Sequence, residues 1–217
     1  MKKWILELTT ALCSLVFSCG SPVKPSAPKT GELIGGGCDG CELMYVNLPE
    51  QIASADSSPA WNGEGQPLKI SGTVLKADGK TPAPDVIIYY WQTDNEGHYA
   101  NLEGLDPRAK RHGYIRGWLK TGTDGRYALY TIRPAPYPND SLPAHIHLSI
   151  KEPKLPNEYY TDEINFDDDP LLKPYFKKHP PEHRGGSGVV RVKLQGSLQE
   201  AEHDIELGKN IPGYPGK

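Results

Sequence analysis

Residues 67–93, "PLKISGTVLKADGKTPAPDVIIYYWQT", decide the fold. The first ten residues alternate around Leu68, Ile70 and Val74, the period of a strand with one buried face. "ADGKTPAP" is turn chemistry, with glycine for a positive φ, proline for a fixed φ and an aspartate able to bond its own backbone. "DVIIYYWQT" is a β-branched and aromatic run of the kind that fills strands, and it stops at "DNEG". Strand, turn, strand is therefore the local pattern, and it continues outward. "GYIRGWLKTG", the turn "TDG" and "RYALYTI" predict a hairpin over 113–132. "AHIHLSI", "YYTDEINF", "GVVRVKLQ" and "EHDIELG" supply further strands, and only "DPLLKPYFKKH" has a helical pattern, limited by Pro174. With 21 Pro, 23 Gly and 37% hydrophobic residues, the chain is expected to be all-β. The specific expectation is a β-sandwich or barrel of short, mostly antiparallel strands with long loops.

The 217 residues suit one such domain with appendages. "MKKWILELTTALCSLVFSCG" has two lysines, then an apolar run that Glu7 interrupts and that is too short for a comfortable membrane span. It is the pattern of an export signal, and "VFSCGS" resembles a bacterial lipobox. The expected organisation is a signal over 1–18, a Pro/Gly-rich tether and arm over 19–62, and the β domain over 63–217. A lipidated Cys19 would hold the protein at a membrane surface. Cys13 leaves with the signal. Cys38 and Cys41 in "CDGCE" lack the second pair or spaced histidines of a zinc site and the strand–helix context of a thioredoxin motif. In an oxidising compartment a small-loop disulfide is expected. A net charge of −3 with no basic stripe excludes nucleic acid as a partner. Assembly into an oligomer is left open.

The candidate chemistry lies in "SLPAHIHLSI", residues 141–150. On a strand Ala144, Ile146, Leu148 and Ile150 share one face, and His145, His147 and Ser149 the other. Two neighbouring imidazoles suit a metal ion but are equally an edge-strand polar pair. Tyr99, just past the turn after "WQT", and Tyr137, in a loop stiffened by prolines 134, 136, 138 and 143, add two phenols that can be aimed at the same strand.

Here the residues resemble a known family. "SGTVLKADGKTPAPDVIIYYWQTDNEGHY", "TDGRYALYTIRPAPYP" and "PAHIHLSI" are similar to the successive motifs of the intradiol ring-cleavage dioxygenases, relatives of catechol and protocatechuate dioxygenases. "EYYTDEINFDDDPLL" and "RGGSGVVRV" resemble its secreted bacterial branch. The resemblance implies one non-haem Fe(III) per chain, held by Tyr99, Tyr137, His145 and His147. It also implies cleavage of a catechol-type ring between its hydroxylated carbons by O2, giving a muconate-type diacid. Hard, anionic phenolates suit a hard trivalent ion, and such an ion lowers a tyrosine pKa from its usual value of about 10. In this family the axial tyrosinate, here Tyr137, takes a substrate proton and leaves the metal.

Two positions depart from the catabolic relatives. Leu142 stands where they carry arginine, and Glu163 where they carry glutamine, both beside the substrate ring. Leucine there implies a preference for electron-rich, uncharged catechols over protocatechuate, unless a base such as Arg133 reaches the same place. A charged Glu163 would repel a catecholate unless protonated or paired. His98, His112, His179, His183 and His203 are expected at the surface, Trp91 in the core, and "FDDDP" as a solvated turn. The competing reading is a non-catalytic, transthyretin-like cell-surface module, which has no use for the two tyrosines and two histidines. A zinc or copper site on the histidines alone leaves the tyrosines unexplained.

Overall fold

A computed structural model describes residues 33–38 and 40–216. The expected export signal, Cys13, Cys19 and most of the expected tether lie outside the described residues.

Two sheets face each other. Strands β1 (Ala55–Ser57), β2 (Pro67–Leu75), β5 (Arg126–Ile132), β10 (Lys193–Gln195) and β11 (Leu198–Glu202) form the first in the order β1-β5-β2-β11-β10, and β12 (Ile205–Glu206) also pairs β2. The second runs β4-β3-β6-β8-β9. It comprises β3 (Ile87–Gln92), β4 (Arg116–Lys120), β6 (His145–Lys151), β8 (Ile164–Phe166) and β9 (Val189–Val190), with β7 (Tyr159–Tyr160) also on β6. The main ladders, β2 with β5 and β3 with β4 and β6, are antiparallel. Parallel pairs join β1 to β5, β11 and β12 to β2, and β8 to β9. Among the described residues one short α-helix, α1 (Leu172–Lys178), forms despite Pro174, because proline in a first turn has no intrahelical N–H bond to lose.

Alternation explains the layers. Leu68, Ile70 and Val74 of β2 and Leu129 of β5 meet Ile88 and Tyr90 of β3 and Ile146, Leu148 and Ile150 of β6 in one core. The opposite face of the second sheet carries Tyr89, Trp91, His145 and His147. It is not left to water, since Met44 of the N-terminal arm packs with Tyr89 and Trp91 in a second cluster. Both faces of β3 are therefore covered, which is why its sequence is aliphatic or aromatic from Ile87 to Trp91.

The expected hairpin over 113–132 is wrong. β4 pairs β3, and β5 pairs β2 in the other sheet. The turn is tight, with Gly125 N donating to Gly122 O at 2.9 Å. Gly125 O, however, accepts from Val74 N on β2, so the chain passes from one sheet to the other. Leu119 and Leu129 reach the same core from opposite sides, and their alternation looks the same in a hairpin as in such an arch.

His203, expected at the surface, is buried between β11 and β12. Tyr127 Oη donates to His203 O at 2.7 Å and lies 2.9 Å from its Nδ1, an arrangement that suits a neutral ring donating from Nδ1. Burial pushes this imidazole down to about 4 from 6.5. Above pH 6.5 the ring is neutral folded or unfolded and adds nothing to pH dependence. As pH falls toward 4 the unfolded chain binds the proton and the folded one does not, so stability should drop by about 3 kcal/mol across that window. Urea melts at about pH 7 and about pH 4 would measure it. His203→Gln should remove that part of the slope, and an unchanged slope would show that other groups carry it.

Candidate metal centre

His145 and His147 stand side by side on the face of β6 opposite the main core, with ring centroids 4.4 Å apart. His145 Nδ1 lies 2.7 Å from Pro143 O. A carbonyl only accepts, so Nδ1 carries the proton and Nε2 presents a lone pair. His147 Nδ1 lies 3.0 Å from Tyr160 Oη, and that hydroxyl donates to Glu163 Oε1. With its own proton committed, Tyr160 accepts from His147 Nδ1–H, so this ring also presents Nε2 as a lone pair. The two Nε2 atoms are 3.0 Å apart.

The tyrosines close the cluster. Asp94 Oδ1 takes the amides of Glu96 and His98, and Asp94 N donates to His98 O, shaping the turn that delivers Tyr99. Gly97 in that turn has φ +86, and a Cβ there would sit 2.0 Å from Pro136 O. Only glycine lets the Tyr99 turn and the Tyr137 loop approach this closely. Ala135 N donates to Asp94 O, fastening the two segments. Tyr99 Oη is 2.6 Å from Tyr137 Oη and 2.9 Å from His147 Nε2, and Tyr137 Oη is 3.3 Å from His145 Nε2. Four donors thus form a closed ring with edges of 2.6–3.3 Å. Donors held about 2.0–2.2 Å from a common ion lie about 3 Å apart. Two facing imidazole lone pairs and two ionisable oxygens therefore fit a hard cation. Among the described residues no three His, Cys, Asp or Glu side chains converge as a metal site; the oxygens beside the two Nε2 atoms are the phenols of Tyr137 and Tyr99.

Burial dominates the electrostatics. It raises the Tyr99 phenol, with its bond to Tyr137 and the charge of Glu163 adding, and it raises Tyr137. Burial also holds His147 well below 6.5, followed by His145 and His112 beside it. Without a cation, burial keeps the two phenols protonated and His147 neutral. A trivalent ion would expel the phenol protons.

Several surroundings differ from the sequence expectations. His112 is buried, because the 3-10 turn Pro107–His112 sets Ala109 against Leu43 and Val46 and turns the ring inward to Tyr89 Oη at 2.9 Å. The signal was the spacing of three between Ala109 and His112, which puts both on one face of such a turn. Trp91 is buried as expected, but it also lies between the rings of His112 (4.2 Å, 1°) and His147 (4.7 Å, 15°). "FDDDP" is only partly solvated. Asp167 meets Arg191, and Asp168 grips Arg133 at 2.6 Å. Asp169 is buried and accepts from Ala144 N, at the entry to the histidine strand, and from Leu171 N. His98, His179 and His183 are exposed. Tyr160 is the residue that sequence reasoning missed. Its signal is the pair "YY": Tyr159 joins the main core, so its neighbour faces the histidines.

Glu163 is paired through Tyr160 and lies 3.7 Å from His147 Nδ1. Leu142 is half-buried, its N–H held by Asp140, and it lines neither recess described below. Arg133 is turned away, bound to Asp168 and stacked over Phe166 at 4.3 Å. The arginines beside the cluster are Arg111 and Arg184. They line a recess of about 370 Å³ with Tyr99, His147, Trp91 and Tyr160. A second recess of about 360 Å³, walled by Glu163, Tyr175, Phe176 and His179, adjoins it at Tyr160 and Arg184. Cys38 and Cys41 are joined by a disulfide at the rim of the first.

Fold and site together define an all-β sandwich with a two-tyrosine, two-histidine cluster on the outer face of one sheet. The family model described as Dioxygenase matches residues 50–205, and the chain belongs to the intradiol ring-cleavage dioxygenase family. Chlorocatechol 1,2-dioxygenase of Cupriavidus pinatubonensis is 32% identical over 171 residues, covering 70% of this chain and 63% of that protein. Catechol 1,2-dioxygenase of Acinetobacter baylyi is 24% identical over 196 residues, covering 79% and 61%. Among solved structures, the dioxygenase domain of a dioxygenase–carbohydrate-binding protein fusion from Streptomyces sp. SirexAA-E has a TM-score of 0.55 at 25% identity, covering 74% of this chain and 90% of that one. The chain spans 45–61% of the length of the first curated relatives it matches.

Proposed function

We propose that this protein is a non-haem Fe(III) dioxygenase that opens catechol-type rings between the two hydroxylated carbons, placing both atoms of O2 in a muconate-type diacid. The observation that carries this reading is the closed ring of four donors, with both Nε2 lone pairs and both phenol oxygens turned to one point. Tyr99, Tyr137, His145 and His147 would hold one ferric ion. Such an ion, when bound, supplies Lewis-acid activation of a chelated catecholate.

The chain's own residues prepare that chemistry. Pro143 O and the Tyr160–Glu163 pair hold a proton on each Nδ1 and keep each Nε2 as acceptor. Tyr137 Oη, whose contact with His145 is the longest edge of the ring, is the base for one substrate hydroxyl proton. Trp91 and Met44 close the sheet face behind His147 against water. The converged phenols speak against a transthyretin-like binding module, which would have no need of them.

Location belongs to the same proposal. The protein is exported and anchored through a lipidated Cys19, with the Pro/Gly-rich stretch that follows it as tether. Mass spectrometry of protein from the native membrane tests this, and an unmodified N-terminus elsewhere rejects it. For the reaction, iron-loaded protein is given catechol under 18O2. Both labels should appear in one diacid. Full zinc or copper occupancy with no iron, or no ring-opened product from any simple catechol, would overturn the reading.

A further inference from the structure

We propose that Gly37, Cys38, Gly40 and Cys41, tied by the Cys38–Cys41 disulfide, form the substrate-side wall of the recess and limit the size of ring substituents; this rests on the catechol reading above. The arm that carries the loop is fixed at both ends. At one end Ile34 enters the main core, Gly35 N donates to Pro212 O at 2.7 Å, and Arg184 Nη1 donates to Gly35 O. At the other, Met44 is fully buried and its carbonyl takes Trp118 Nε1–H at 2.7 Å, while Arg116 bonds Leu43 O and Val46 O.

Between these anchors the chain crosses the recess that holds Tyr99 and His147, and Gly37 and Cys38 form part of its lining. Gly40, at φ +94, lies so close to the buried His112 that a Cβ would be 2.8 Å from Nε2. The loop is thus seated on the same ring that stacks under Trp91. The Cys38–Cys41 bridge removes the slack that a free segment between two anchors would have. At about 370 Å³ the recess is near the lower end of small-molecule sites, about 300–1,000 Å³. A single ring with small substituents fits, and a bulky substituent meets the loop.

The test uses iron-loaded protein without O2, with 4-methylcatechol and 4-tert-butylcatechol as probes and displacement of the visible absorption band as readout. Wild type should bind the methyl compound about tenfold or more tightly than the tert-butyl one. In Cys38→Ser/Cys41→Ser the ratio should fall to about threefold or less, with the ligand-free band unmoved. Amide exchange over 36–43 in the metal-free protein should rise by about tenfold or more, as local opening becomes easier. Should the variant fold poorly, folded wild type is reduced, alkylated with iodoacetamide and then loaded with iron. The added group on Cys38 should weaken both probes, and the tert-butyl compound more.

If neither probe moves the wild-type band, the catechol reading falls and the wall with it. If both bind wild type but the ratio and the exchange are unchanged in the variant, only the wall falls.

Discussion

Tyr137→Phe should lower ring cleavage by about 10²–10⁴-fold, the usual contribution of a positioned acid–base group, and should shift the visible band of the iron-loaded protein. Phenylalanine keeps the ring in its proline-stiffened loop and removes one oxygen. That oxygen lies 2.6 Å from Tyr99 Oη and 3.3 Å from His145 Nε2, so under the proposed function the change takes away a ligand and a proton acceptor together. Burial raises this phenol, and only a strong cation beside it would make it an anion near neutral pH. Its phenolate is therefore a consequence of metal binding and a usable base only in the loaded protein. Tyr99→Phe should act differently. Tyr99 Oη makes the two shortest edges of the ring, 2.6 Å to Tyr137 and 2.9 Å to His147, so its loss should show first as lost iron. His145→Ala with His147→Ala should abolish iron binding. Iron per chain, the absorption spectrum and turnover separate these cases. A Tyr137→Phe protein with an unmoved band and full turnover would remove Tyr137 from the centre.

The sandwich was legible because alternation around Leu68, Ile70 and Val74, turn chemistry at "ADGKTPAP" and the aromatic β3 run all point to strands. The histidine face of β6 followed from the same period of two. Pairing was not legible: "LKTGTDGRYALY" has the apolar pattern of a hairpin, and the partner of each strand is set by long-range packing on β2 and β3. The environments of His112, His203 and Asp169 were missed for a related reason. Each is polar in sequence and buried in the fold, satisfied by Tyr89, Tyr127 or the Ala144 amide. A burial that depends on one distant hydrogen-bond partner leaves no local pattern. Tyr160 was hidden by Tyr159, since two identical letters on opposite faces of a two-residue strand look like a single apolar patch.

Tyr160 and Glu163 carry the second large effect. Tyr160→Phe should weaken iron binding by about 10–100-fold, the usual cost of losing a hydrogen-bonded partner behind a metal-ligating histidine. Burial and the neighbouring Glu163 hold the Tyr160 phenol well above 10, so it stays a hydroxyl and donates to the carboxylate. That commitment forces His147 to donate from Nδ1 and to offer Nε2 to the cluster. Glu163→Gln, the residue the catabolic relatives are expected to carry here, changes the direction of the chain. A carboxamide can donate to Tyr160 Oη, and Tyr160 is then free to donate to His147 Nδ1. The proton of the neutral imidazole would then lie on Nε2, facing the donors it should join. The glutamine variant should therefore lose iron affinity, but less than Tyr160→Phe, because its Oε1 can still accept the Tyr160 proton as the carboxylate does. Because both changes act through His147, the double variant should be no worse than Tyr160→Phe alone, whereas independent contributions would add. Competition titrations with a ferric chelator would give all three affinities. Additive losses, or a glutamine variant that binds iron as wild type does, would mean that the pair does not set the tautomer of His147.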